Sequence, residues 1–191
     1  MRVVFLDIDG VLNGYNKHTY FMMKLADKLH LRRFIQKHYD IFGVRTTKVL
    51  ILKYILWRTG AKVVLSSSWR GCWYKSWDPK DSRSGALHKK FFRYGIEVVG
   101  ITPRGWDLGI ENASRREEIR DYLDKHKGIT EYLILDDERF NFDEGLLSHM
   151  VKTSETPEIG GHWSENTGLK LRHIKPAIKI LNGEVNTNGN V

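Results

Sequence analysis

Short apolar runs along this chain end abruptly in polar side chains. Val3-Val4-Phe5-Leu6 gives way to Asp7, Val63-Val64-Leu65 to Ser66-Ser67-Ser68, and Tyr132-Leu133-Ile134-Leu135 to Asp136-Asp137-Glu138. Their length and β-branched content predict strands near residues 2–7, 62–66 and 132–136, and weaker runs predict two more at 96–100 and 148–152. Helical spacing fills the intervals. Thr46–Thr59 carries Val49, Leu50, Leu52, Ile55, Leu56 and Trp57 on a broad apolar face and meets a terminator at Gly60. Gly85–Tyr94, Ala113–His126 and Leu169–Leu181 read similarly, with Pro176 predicted to kink the last helix or delay its start. The pattern predicts an α/β fold around a central parallel five-stranded sheet.

Composition narrows the class. With 191 residues and 41% apolar content, the chain can bury the core of one compact domain, 1–191, and requires no second. The single cysteine, Cys72, excludes an internal disulfide, and Asp7 and Asp9 interrupt the apolar stretch that a signal peptide needs. No apolar run reaches transmembrane length, so the expected setting is reducing and cytoplasmic, away from membranes. No GxxxxGK[ST] phosphate loop occurs, which argues against kinase or ligase chemistry. The Asn- and Gly-rich tail, 182–191, is expected to fray.

Two carboxylates at the end of a buried strand require a reason. Unpaired, each costs several kcal/mol unless a cation or hydrogen-bond donors offset it, so Asp7 and Asp9 point to a bound divalent metal. Gly10, lacking a Cβ, permits the turn that aims both at one point. On its own, the string also suits an acidic turn capping a helix. Three further pieces weigh against that: the strand ending at Ser66, the helix opening over Asn112–Ile119, and the strand ending at Asp136-Asp137. In an open parallel sheet these ends share one edge, where ligands bind at the topological switch point.

The ordered set resembles the haloacid dehalogenase (HAD) superfamily of Mg-dependent phosphohydrolases, whose motifs are DxD, a strand-end Ser/Thr, a Lys/Arg and paired acids. The strings Phe5–Asn13 (FLDIDGVLN), Val64–Arg70 (VLSSSWR), Arg115–Ile119 (R-x-x-E-I), Leu135-Asp136-Asp137 and Thr167-Gly168-Leu169 are similar to the HAD domain of Swiss Army knife RNA repair proteins. The resemblance implies a Rossmannoid three-layer sandwich with a small helical cap insertion. It implies a catalytic set of Asp7 as nucleophile, Asp9 as acid and base, and Ser66 and Arg115 as holders of phosphate oxygens. The metal set it implies is drawn from Asp7, Asp9, Asp136 and Asp137, with Mg²⁺ as cofactor, the backbone carbonyl of Asp9 as a ligand and either Asp136 or Asp137 completing the site. Ser67, Arg70, Arg116 and Trp73 are the candidate substrate-binding residues. The R-x-x-E-I register favours Arg115 over Arg116 for the phosphate.

Charge bears on substrate. Residues 14–60 hold ten Lys/Arg against Asp27 and Asp40, which accounts for the whole net charge of +8. The candidate cap, 14–45, is the core of this stretch, and a basic cap beside a metal site attracts polyanions. His18, His30 and His38 in it read as surface or packing residues. After the second motif, Trp69 reads as packing behind the site, whereas Trp73 and Trp77, among Arg70 and Lys75, suit base stacking with phosphate contact. Trp106 is a weaker candidate, and Cys72 lacks a partner base in the neighbouring sequence. The expected function is a Mg-dependent phosphomonoesterase acting through an aspartyl-phosphate on nucleotides or on RNA or DNA ends. The alternatives are a small-metabolite phosphatase and a nucleotide or nucleic-acid binding protein on a HAD scaffold.

Overall fold

A computed structural model describes residues 1–13, 25, 28–30, 43–70, 73, 82–110, 113–154 and 168–184. Five strands, β1 (Arg2–Leu6), β2 (Lys62–Leu65), β3 (Val98–Ile101), β4 (Glu131–Asp136) and β5 (Met150–Lys152), form one sheet in the order β3-β2-β1-β4-β5. Every pairing is parallel. Helices α1 (Thr46–Thr59), α2 (Ser82–Arg93), α3 (Arg115–Lys125), α4 (Glu144–Leu147) and α5 (Ile174–Leu181) accompany the sheet among the described residues.

Alternation along the strands builds two cores, because successive side chains leave opposite faces of a sheet. Val4, Leu6, Val63, Leu65, Leu133 and Leu135 pack with Val49, Leu52 and Ile55 of α1, Leu87 and Phe91 of α2, and Ala177 and Ile180 of α5. Val3, Phe5, Val64 and Ile134 turn the other way, onto Ile119 and Tyr122 of α3 and Leu146 of α4. The result is the three-layer α/β sandwich expected. Both faces are covered, which is why the strands read as unbroken apolar runs.

Element ends follow local chemistry. Gly60 terminates α1 in the left-handed region (φ 68°), its N–H bonding to the Leu56 carbonyl at 2.8 Å. Ser114 caps α3: its N–H donates to Glu117 Oε2 at 2.8 Å and its hydroxyl bonds the same carboxylate. The last helix starts late. A 3₁₀ turn spans Leu171–His173, and α5 begins at Ile174, placing Pro176 in the first turn, where a missing N–H leaves no helical bond unmade. Helix α4 was absent from the sequence reading; its signal is Asp143, whose side chain accepts from Leu146 N at 3.1 Å.

The candidate cap over 14–45 lies outside the described residues except for Leu25, Lys28, Leu29, His30 and 43–45, where Leu29 N–H donates to the Leu25 carbonyl at 3.0 Å. Cys72, Lys75, Trp77, Asn112 and Thr167 also fall outside the description, as do the tail residues 185–191. Among the described residues, no helix is long and apolar enough to cross a membrane.

Candidate active site

The chain passes from β3, on one side of β1, to β4 on the other, so the switch point lies beside β1 and the crevice opens past its carboxyl end. Register aligns the strand ends. Leu6 sits opposite Leu65 and Leu135. One residue further, Asp7 N–H donates to Leu135 O, Ser66 N–H to Leu6 O and Thr102 N–H to Leu65 O, each at 2.9 Å. Asp7, Ser66, Thr102 and Asp136 therefore stand in one row along the crevice.

Asp7, Asp136 and Asp137 each present a carboxylate oxygen within 4.8 Å of the others. Arg115, the first residue of α3, reaches across to them. Its Nη1 donates to Asp7 Oδ1 at 3.2 Å and to Asp136 Oδ2 at 3.0 Å. The Arg115 guanidinium also lies 5.1 Å from the centre of the Phe140 ring, and Phe140 holds a left-handed φ of 45°, uncommon for a bulky side chain. Arg115 thus meets two of the three acids. Burial first, then Asp136, push the Asp7 carboxyl up to about 8, with Arg115 and a hydrogen bond from Ser67 opposing the rise. Asp136 is raised by burial against the pull of Arg115. Burial, Asp136 and Glu138 lift Asp137 to about 7. An all-oxygen group whose carboxyls are raised by burial and by one another suits a hard divalent cation.

Asp9 lies outside that carboxylate group and is exposed. Neighbours occupy both its oxygens: Asn13 Nδ2 donates to Oδ1 at 2.7 Å and Trp69 Nε1 to Oδ2 at 2.8 Å. Asn13 is fixed in turn by Gly10 N–H, which donates to its Oδ1 at 2.8 Å; Gly10 has φ 73°, the turn its missing Cβ permits. The loop is pinned from outside as well. Thr153 Oγ1 donates to Gly10 O, Arg45 N to Leu12 O and Leu169 N to Val11 O, each at 2.9 Å. Gly168 (φ 64°) makes the last approach possible, since a Cβ there would lie 2.6 Å from Val11 O and 2.9 Å from Asn13 O. Lys48 braces the same junction through Leu169 O at 2.9 Å, and burial beside Arg45 and Lys170 pulls its ammonium down to about 8.

The two candidate serines differ. The Ser66 hydroxyl accepts from Thr102 Oγ1 at 3.4 Å, while the Ser67 hydroxyl is the one bonded to Asp7. Two of the substrate-binding candidates have protein partners in the structure. Arg70 is buried and grips Glu118 with both terminal nitrogens, at 2.8 and 2.5 Å, and Thr102 Oγ1 at 3.1 Å. It faces inward because Glu118, one helical turn after Arg115, offers a buried carboxylate, itself 3.8 Å from Arg115 Nε. Trp73 stacks on His88 at 3.7 Å and leans on Phe91, so its ring is engaged with α2. Arg116 points to solvent and pairs with Glu117 at 2.7 Å. Sequence reasoning gave no role to Glu118, Asn13 or Thr102. Glu118 carried a signal as the E of R-x-x-E-I, and Trp69, read only as packing, also donates to Asp9.

The raised carboxyls set a pH dependence. Asp7 and Asp137 move from 3.8 to about 8 and about 7, so the metal-free folded state binds more protons than the unfolded chain across that window. Stability should therefore fall as pH rises through it. Thermal unfolding in EDTA should show a lower Tm near pH 8 than near pH 5, and Mg²⁺ should raise Tm most at the higher pH. A Tm that climbs with pH in EDTA would contradict this account.

No curated protein and no solved structure matches the chain. The family described as the HAD domain in Swiss Army Knife RNA repair proteins matches residues 3–160, a span holding Asp7, Asp9, Ser66, Arg115, Asp136 and Asp137. With its strand-end acids on the switch-point edge of a parallel sheet and most of its length covered by that match, the chain belongs to the HAD domain family of Swiss Army Knife RNA repair proteins.

Proposed function

We propose that this protein is a Mg²⁺-dependent phosphomonoesterase that removes terminal phosphates from nucleotides or nucleic acids through a covalent intermediate on Asp7. The observation that supports it most is the meeting of Asp7, Asp136 and Asp137 within 4.8 Å, with Arg115 bridging two of them. The side chains of Asp7, Asp136 and Asp137, with the main-chain carbonyl of Asp9, would hold the ion. When bound, Mg²⁺ supplies positive charge against the phosphate oxygens.

Asp7 attacks phosphorus in line, forming the acyl-phosphate bond as the bond to the leaving oxygen breaks. Asp9 gives that oxygen a proton. It then takes a proton from the water that attacks phosphorus, which releases phosphate and frees Asp7. Arg115, with Ser66 and Ser67, holds the equatorial oxygens while charge redistributes. Asn13 and Trp69 fix the orientation of Asp9 between the two steps.

Arg115→Ala should lower kcat by about 10²- to 10³-fold, the loss typical of one electrostatic donor. Arg116→Ala, on a side chain already facing solvent, should leave turnover near wild type. The reverse ranking would mean that the other arginine serves the phosphate. A phosphate-release screen over mononucleotides, sugar phosphates and 3′- or 5′-phosphorylated oligonucleotides tests the reading as a whole. Release should require Mg²⁺, stop in EDTA and favour the oligonucleotides. Preference for sugar phosphates would replace the nucleic-acid reading with a small-metabolite phosphatase.

A further inference from the structure

A cavity of about 670 Å³ opens beside β3, on the side of the sheet covered by α3. It lies within the usual size of a small-ligand pocket. Its walls include the end of β3, the 3₁₀ turn Gly105–Leu108, and Asp121, Tyr122 and Lys125 of α3. Asp121 and Lys125 pair with each other at 2.8 Å.

Trp106 is the unusual residue here, with 73% of its surface exposed. The turn that carries this indole is closed by its own hydrogen bonds. Arg104 N–H donates to Asp107 Oδ2 at 2.8 Å at the start of the turn, and Gly109 closes it in the left-handed region (φ 65°). The Arg104 guanidinium lies 4.7 Å from the centre of the Trp106 ring, and among the described residues no carboxylate pairs with it. An exposed aromatic face beside a cation is the arrangement that stacks a base and meets a phosphate.

Position links this aromatic face to the catalytic row. Thr102 lines the cavity and contacts Ser66 Oγ at 3.4 Å, and Arg104 follows it by two residues, at most roughly 7 Å of chain. We infer that the β3 cavity is a nucleobase subsite, in which Trp106 stacks the base nearest the scissile phosphate and Arg104 meets the next phosphate of a single strand. This deepens the phosphatase reading above and rests on it for the position of the scissile phosphate.

Two readouts keep the subsite and the phosphatase reading apart. The first is fluorescence anisotropy of an unphosphorylated single-stranded oligonucleotide with the full chain in Mg²⁺, which needs no turnover. Trp106→Ala should weaken binding about tenfold, Trp106→Phe should retain most of it, and Arg104→Ala should flatten the log-log salt slope by roughly 0.7. The second compares kcat/KM for an end-phosphorylated oligonucleotide with that for the same strand carrying an abasic terminal residue. The wild type should favour the base-bearing end about tenfold, and Trp106→Ala should erase the preference. Phosphate release with no discrimination against the abasic end, or equal affinity in wild type and Trp106→Ala, overturns the subsite and leaves the phosphatase standing. Trp106-dependent binding without phosphate release from any end upholds the subsite and removes the phosphatase.

Discussion

Asp7→Asn is expected to abolish phosphate release while making the metal-free protein more stable. The amide cannot attack phosphorus, and loss of a nucleophile in other covalent enzymes lowers turnover on the order of 10⁴- to 10⁶-fold. The stability gain has a separate cause. Asp7 is buried beside Asp136 and Asp137, and burial and charge repulsion together raise its carboxyl to about 8. Removing one acid relieves both costs, which the active protein carries as the condition of a charged site. Differential scanning fluorimetry near pH 8 in EDTA should give a higher Tm for Asp7→Asn than for wild type. Mg²⁺ should then raise the variant's Tm less, since one ligand oxygen has lost its charge. Wild-type phosphate release by the variant would eliminate the covalent mechanism, and a lowered Tm would eliminate the crowding argument.

The second large effect is expected at Glu118. Its carboxylate takes both terminal nitrogens of Arg70, whose Nη1 also donates to Thr102 Oγ1, and all three residues are buried. Glu118→Ala leaves the Arg70 guanidinium buried without an acid, a change that costs about 3–5 kcal/mol in comparable pairs. At roughly 2–4 °C per kcal/mol for a chain of this length, Tm should drop by about 6–20 °C. The double variant Arg70→Met with Glu118→Leu should recover much of that loss, because no unpaired charge remains. Catalysis should not recover with it. Arg115 Nε lies 3.8 Å from Glu118, so the apolar replacement restores packing but leaves Arg115 without that brace. Recovery of kcat together with Tm would show that Glu118 serves the fold alone.

How far the sequence could be read depended on the range of the interactions involved. The strands were legible because each is an apolar run covered on both faces, and their ends shifted by only a residue or two: β1 stops at Leu6 and β2 at Leu65. The acids of the site were legible because they are strand-end residues, and register alone brings Asp7 and Asp136 side by side. The ion pair of Arg70 was not legible, because its local setting, after three serines and beside tryptophans, looks like a substrate-facing loop. Its partner lies 48 residues away, and no local pattern reports that. The stack of Trp73 on His88 of α2 was hidden for the same reason. Trp106, ranked below Trp73 by its neighbours in sequence, gains interest only once the turn that fixes it is seen.

The junction at Gly168 ties the last helix to the loop that orients Asp9. That loop takes its backbone partners from Arg45, Thr153 and Leu169, and only the last two lie beyond the fourth strand. The strand registers that line up the acids involve nothing past β5, whereas the Val11 carbonyl takes its partner from Leu169. The stretch that supplies that partner runs directly into α5, whose Ala177, Ile180 and Leu181 are fully buried against the sheet. One segment thus seals the core and closes the Asp9 loop, so loosening of α5 would be felt at the carboxylate that the loop orients.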